Sequence, residues 1–194
     1  VSSFGTMDNL AYTYDAGNKL EKVTDTASNN EGFKDGANTG DDYDYDANGN
    51  MIKDHNKGIS NIIYNHLNLP TKVTINGKVL EYVYDASGTK IAKINKGRSD
   101  NPTTEYAGNF IYKKTSDRGG ININLEFFNH PEGYVKPVIA SGSAAISSFD
   151  YVYQYKDHLG NIRLSYTDAN KNGSIATSEV IEESNYYPFG LKHK

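Results

Sequence analysis

The strongest chemical signal in this sequence lies between Asp168 and Glu179. The stretch reads Asp168-Ala169-Asn170-Lys171-Asn172-Gly173-Ser174-Ile175-Ala176-Thr177-Ser178-Glu179. It fits D-x-[DN]-x-[DN]-G-x₅-E at every defined position, the pattern of a calcium-binding loop. Calcium is a hard cation that takes about six to eight oxygens. Asp168, Asn170 and Asn172 each offer a side-chain oxygen, Ser174 its backbone carbonyl, and Glu179 both carboxylate oxygens. Gly173 permits the sharp turn, and Ile175 can pin the loop to a core. The flanks read as strands, unlike the paired helices of an EF-hand, and Asn at two positions leaves only two formal negative charges. The competing reading is a plain Asn-Gly hairpin loop. The complete match favours calcium, as a structural ion of modest affinity.

Other chemistry-bearing residues are less organised. Of the five histidines, His55, His66, His130, His158 and His193, no two stand at metal-ligand spacing. Asp157-His158 lies near several serines, but no Gly-x-Ser-x-Gly nucleophile elbow is present. Neighbouring residues of a strand point to opposite faces, so the pair cannot converge on one substrate. A structural turn is the favoured reading there. The acidic run Asp41-Asp42-Tyr43-Asp44-Tyr45-Asp46 likewise reads as a solvated turn, since His55 stands where a closing Glu would be needed. These observations predict a chain without enzymatic activity.

The elements that position these residues repeat along the chain. Tyr12-Thr13-Tyr14-Asp15 is followed by Gly17-Asn18 and Leu20; Tyr43-Asp44-Tyr45-Asp46 by Asn48-Gly49 and Met51-Ile52. A worn unit runs from Ile63-Tyr64-Asn65 to Leu69-Pro70, another from Tyr82-Val83-Tyr84-Asp85 through Gly88 to Ile91, and a divergent one from Tyr153 to Leu164. Tyr-x-Tyr alternates as a strand does. The Asp then caps a turn in which Gly or Asn accepts positive φ. Each unit is therefore a β-hairpin, with turns expected at Ala16–Asn18, Ala47–Gly49 and Ala86–Gly88 and with Tyr14, Tyr45 and Tyr84 in equivalent places. Successive hairpins should build one antiparallel sheet of roughly ten to twelve strands, a curved, open strip about 50 Å wide. The polar stretch from Ser28 to Asp42 reads as a long loop.

Composition agrees with an all-β chain. Hydrophobic residues make up only 37% of it, yet 16 Tyr are available to build half-buried sheets, with no Trp. The absence of Cys removes disulfides, thiol nucleophiles and thiolate metal sites. A net charge of -4 gives no reason to expect nucleic acid. No apolar run is long enough to insert in a membrane, and no signal peptide is evident.

The Tyr-Asp units resemble the YD repeats of the Rhs family, with Tyr64-Asn65 departing at the Asp. Tyr155-Lys156-Asp157-His158-Leu159-Gly160-Asn161-Ile162-Arg163 resembles the signature that opens the Rhs repeat-associated core, and Tyr187-Pro188-Phe189-Gly190 the element that follows it. The resemblance implies a bacterial, secreted or cell-surface polypeptide whose sheet strip coils into a shell around C-terminal cargo, often a toxin. The family's cleavage segment has no counterpart before Lys194, so no cleavage residue is carried over, and the chain reads as an excised or degenerate piece of a shell.

Three regions are expected: YD hairpins over residues 1–96, a divergent β insert over 97–150 with a flexible connector at Ala140–Ala145, and the start of the repeat-associated core over 151–194. The expected role is a non-catalytic structural, encapsulating or interaction module. Its partners would be the rest of its own polypeptide, a C-terminal cargo, or a second copy through sheet edges. The alternative is a carbohydrate-binding, cell-wall-anchoring repeat that stacks sugars on its tyrosines. Tyrosines used as the sheet's own packing surface are the favoured reading of that ladder.

Overall fold

The computed structural model describes residues 5–27, 32–36, 39–117, 119–186, 190 and 192–193. Strand accounts for 55% of the chain, and no α-helix occurs among the described residues. Contacts divide the chain into two compact units, Val1–Thr103 and Thr104–Lys194.

The first unit holds four hairpins: β1 (Leu10–Tyr14) with β2 (Leu20–Asp25), β3 (Tyr43–Tyr45) with β4 (Met51–Asp54), β5 (Ile59–Tyr64) with β6 (Pro70–Ile75), and β7 (Lys78–Tyr84) with β8 (Lys90–Asn95). The second unit begins in β9 (Thr103–Ala107) and continues through β10 (Phe110–Asp117), β11 (Gly120–His130), β12 (Gly133–Ile139), β13 (Ile146–Lys156), β14 (Ile162–Tyr166) and β15 (Val180–Glu183). A last short pair is β16 (Asn185–Tyr186) with β17 (Lys192–His193). From β3 to β15 each strand pairs with the next in sequence, giving a 13-stranded antiparallel sheet that does not close into a barrel. The expected open sheet of successive hairpins is thus present; β1–β2 forms a separate two-stranded sheet.

One turn geometry recurs because its causes recur. Asp15 Oδ1 accepts the amides of Gly17 and Lys19, both at 2.7 Å. Asp46 Oδ1 accepts those of Asn48 and Asn50, and Asp85 Oδ1 those of Ser87 and Thr89. Asn65 does the same for Leu67 and Leu69, both at 3.0 Å, so a neutral acceptor suffices. Three residues after the acceptor the backbone takes positive φ: Asn18 at 66°, Gly49 at 84°, Asn68 at 56° and Gly88 at 85°. Only Gly and Asn adopt that conformation at low cost, which is why the sequence alternates between them there. Each strand also shifts register just before its final tyrosine, between Thr13 and Tyr14, Asp44 and Tyr45, Ile63 and Tyr64, and Val83 and Tyr84.

That shift aims a ring at the preceding hairpin. The Tyr45 hydroxyl donates to the Leu20 carbonyl at 2.7 Å, Tyr64 to Met51 at 2.6 Å and Tyr84 to Pro70 at 2.9 Å. Each acceptor stands five residues after the turn residue of the previous hairpin, so every hairpin is tied to its predecessor at an equivalent point. The Ser28–Asp42 stretch, of which 28–31 and 37–38 lie outside the described residues, contains no strand among those described.

The second unit holds the longest strands, β10, β11 and β13, and the turn between β12 and β13 is of another kind. Ala140–Ala145, read above as a connector, closes the β12–β13 hairpin: the Ala140 amide donates to Ala145 and the Ser143 amide to Ala140. Val135 and Val152 are almost wholly buried in this unit, on opposite faces of the paired β12 and β13; Val135 pairs with Phe128, whose ring meets those of Phe110 and Phe149. Gly133 is obligatory, because a Cβ at that position would lie 2.0 Å from the Val152 carbonyl oxygen.

Each hydroxyl tie replaces a bond to water by one within the protein, worth about 1 kcal/mol net. Tyr45→Phe and Tyr84→Phe should therefore each destabilise the chain by about that amount in urea unfolding, whereas Tyr14→Phe, whose hydroxyl makes no such bond among the described residues, should leave the midpoint unchanged.

Candidate functional site

The Asp157-His158 pair sits in a turn of the same geometry. Asp157 Oδ1 accepts the amides of Leu159 and Asn161 at 3.0 and 2.9 Å, and Gly160 takes φ 84°. Its other oxygen accepts the Asn161 side-chain amide, so the carboxylate is committed to the turn, while His158 is exposed. Among the described residues the two side chains share no hydrogen bond or ion pair. The later Tyr187-Pro188-Phe189-Gly190 element lies outside the described residues at 187–189, but its flanks are visible. Tyr186 pairs with Lys192, the spacing of the Tyr45–Met51 pair, and Gly190 takes φ 85°. The Tyr186 hydroxyl donates to the Ile162 carbonyl at 3.0 Å, five residues after Asp157. This C-terminal segment therefore repeats the hairpin tie that the tyrosine ladder makes in the first unit, a kinship hidden in sequence by Pro188 and Phe189.

In the Asp168–Glu179 loop, the side chains named from the sequence turn onto the loop's own backbone. Asp168 Oδ1 and Oδ2 accept the amides of Asn172 and Gly173 at 3.0 and 2.8 Å. Asn170 Oδ1 accepts Asn172, and Asn172 Oδ1 accepts Ser174. Glu179 is buried at 7% exposure; its Oε1 accepts Ala169 and Asn170 and its Oε2 accepts Ala176. Glu179 ends a short 3₁₀ turn, Thr177–Glu179, while Ser174 and Ile175 are exposed. Among the described residues no group of three or more His, Cys, Asp or Glu side chains comes together as a metal ion requires; the loop's oxygen donors are two carboxylates, two amides and a carbonyl.

The acidic run before Ala47 is not uniformly solvated, contrary to its reading as a turn. Asp42 is fully buried because it bridges β2 and β3: its Oδ2 accepts the Val23 amide at 2.7 Å, its own amide donates to Glu21, and its carbonyl accepts His55. Asp54, at 2% exposure, accepts the Lys57 amide and lies 3.6 Å from the Lys57 ammonium. Burial, with the Asp54 and Asp42 carboxylates nearby, pushes the Tyr43 phenol up to about 12. Nothing in a Tyr-Asp repeat separates Asp42 from the exposed Asp41, since both stand just before Tyr43.

The turn carboxylates are tuned in the opposite direction. The side chains of Asn50, Ser87 and Asn161, each joined by backbone amides, hold Asp46, Asp85 and Asp157 below the usual carboxylate range. A groove of about 440 Å³ beside Asp85 is lined by His66, Leu67, Thr71 and Tyr82. Asp85 Oδ1 is engaged in its turn by the Ser87 and Thr89 amides and the Ser87 hydroxyl.

An open meander of Asx-turn hairpins tied by tyrosine hydroxyls defines a repeat-built β-sheet protein. The chain is similar in fold to a pore structure of the Tc holotoxin of Photorhabdus luminescens carrying a mutated TccC3, with a TM-score of 0.60 at 20% identity over 94% of this chain. It is likewise similar to TcdB2-TccC3 without its hypervariable C-terminal region (TM-score 0.57, 17% identity, 95% of this chain) and to TcdB2-TccC3-Cdc42 (0.59, 19%, 94%). The chain spans 10% of the length of each of those chains. No protein-family model and no curated protein matches it.

The carboxylate shifts carry a sign. A carboxyl held low in the folded state adds stability that is full above its unfolded value, about 4, and is lost as pH falls through the folded value. Unfolding midpoints in urea should thus drop below about pH 4. Replacing Asp46, Asp85 and Asp157 together by Asn, the residue already serving at Asn65, should keep the fold and flatten that decline; an unchanged acid slope would mean that these turns do not carry it.

Proposed function

We propose that the chain is a structural module, one stretch of the sheet of an Rhs-type bacterial polypeptide that is secreted or held at the cell surface and encloses or displays a cargo without chemistry of its own. The observation that carries this reading is the four-fold use of a tyrosine hydroxyl to tie one hairpin to the preceding one. It commits these side chains to joining one hairpin to the next, in a chain whose fold matches a tenth of each of several toxin-complex chains. No helix among the described residues is long and apolar enough to cross a membrane.

Its partner would be the remainder of the same polypeptide or the cargo that polypeptide carries. The experiment deletes β5–β8 from the polypeptide that contains this chain. The cargo should then become protease-sensitive, while the chain itself hydrolyses no ester, peptide or glycoside and gives no saturable signal on a glycan array. Saturable glycan binding abolished by Tyr→Ala changes would replace this reading with the carbohydrate-binding one.

We propose further that the Asp168–Glu179 loop holds a structural calcium ion through Asp168, Asn170, Asn172, the Ser174 carbonyl and Glu179. Oxygens that accept one amide retain a second lone pair, which favours the site. Glu179 Oε1 already accepts two amides, so bidentate binding must weaken one of them, and affinity is modest. Calorimetry should find one calcium per chain, lost in Asp168→Ala and Glu179→Gln. Absence of heat at millimolar calcium would leave the amides as the loop's sole closure.

A further inference from the structure

Four tyrosines that end a repeat strand or stand at its equivalent place, Tyr45, Tyr64, Tyr84 and Tyr186, seat their hydroxyls on a neighbouring hairpin. Tyr14 occupies the same place in β1: it precedes the turn residue Asp15, follows a register shift and pairs with Leu20. Its hydroxyl has no hydrogen-bond partner among the described residues, and the residue is 54% exposed. Tyr12, two residues earlier, is 52% exposed, whereas its counterpart Ile62 is 8% exposed. The face that is covered in the later hairpins is therefore open on this one, along a strand that is the edge of a two-stranded sheet.

We propose that the Tyr12–Tyr14 face of β1 is a docking surface for a further Asx-turn hairpin from a partner segment, which presents the carbonyl five residues after its turn acceptor to the Tyr14 hydroxyl. The inference rests on the structural reading given above and is continuous with the hairpin interfaces inside the chain. The acceptor side fixes the partner's chemistry. Where a hydroxyl is seated, the residue supplying the carbonyl is apolar: Leu20, Met51, Pro70 or Ile162. In this chain the two other equivalent positions are Lys90, which pairs with Tyr84, and Lys192, which pairs with Tyr186. A lysine there carries a charge into the surface that the incoming ring must cover, so a second copy of this chain offers no seat of the same kind. The occupant is accordingly a hairpin with Asp or Asn at the turn and an aliphatic residue, Met or Pro five places on, not a second copy.

The probe is a head-to-tail cyclised peptide reproducing Tyr43–Asp54, which contains the Asp46 turn and Met51; cyclisation is needed because an isolated hairpin is marginal in water. Added to the full isotope-labelled chain, it should give saturable NMR shifts confined to the β1–β2 hairpin and centred on the rings of Tyr12 and Tyr14. Tyr14→Phe, a change on an exposed ring that keeps the fold, should weaken binding about fivefold, the equivalent of one neutral hydrogen bond. A peptide carrying Met51→Lys should bind more weakly still. No shift at millimolar peptide, or equal affinity for Tyr14→Phe, would overturn the proposal. So would concentration-dependent self-association in sedimentation that broadens the Tyr14 signals, because a second copy would then fill the face. Shifts at Tyr12 and Tyr14 with an oligosaccharide but not with the peptide would instead defeat the structural reading on which the inference depends.

Discussion

A tyrosine hydroxyl can reach a carbonyl of the neighbouring hairpin only if both hairpins turn with the same geometry and the strand is in the right register. That constraint organises the first unit. The turn acceptor fixes the loop, the positive-φ residue closes it, and the register shift before the tyrosine swings the ring toward the preceding hairpin. If one of these fails, the hydroxyl misses its carbonyl. The rule tolerates variation where physics allows it: Asn65 replaces Asp because a neutral oxygen accepts the same two amides, and Asn18 and Asn68 replace Gly because Asn tolerates the left-handed region.

This arrangement suits a chain poor in aliphatic residues. Among the described residues only Val23, Ile62, Ile111, Val135 and Val152 are buried hydrophobics, while Ile121, Ile123, Tyr155 and Leu159 are more than half exposed. A sheet with so little burial depends on satisfied polar groups more than a two-layer domain does. The buried carboxylates fit that demand. Asp42 takes an amide across the gap between β2 and β3, and Glu179 takes three amides within one loop. Each does with a charge-assisted bond what a larger core would do with apolar area.

Much of the first unit was legible in the sequence, since the repeat carries its own physics. Tyr-x-Tyr-Asp with Gly or Asn three residues after the Asp names the strand, the turn acceptor and the positive-φ residue together, and the turns at Ala16–Asn18, Ala47–Gly49 and Ala86–Gly88 lie where that pattern puts them. The hydroxyl ties were not legible, because they join residues of different units and depend on a register shift that no residue type announces. Asp42 was misread for a related reason: an aspartate in an acidic run looks solvated until a neighbouring strand supplies an amide. In the Asp168–Glu179 loop the pattern pointed to the side-chain oxygens but was silent on the backbone amides that those oxygens accept.

The central claim is that hairpin-to-hairpin order rests on tyrosine hydroxyls seated on carbonyls, and it is tested most directly by the hydroxyl protons themselves. In low-temperature NMR of the chain with labelled tyrosine, Tyr45, Tyr64, Tyr84 and Tyr186 should show slowly exchanging hydroxyl resonances with contacts to the strands that hold Leu20, Met51, Pro70 and Ile162. Tyr12 and Tyr14 should show none. Fast exchange at all six positions would contradict the account.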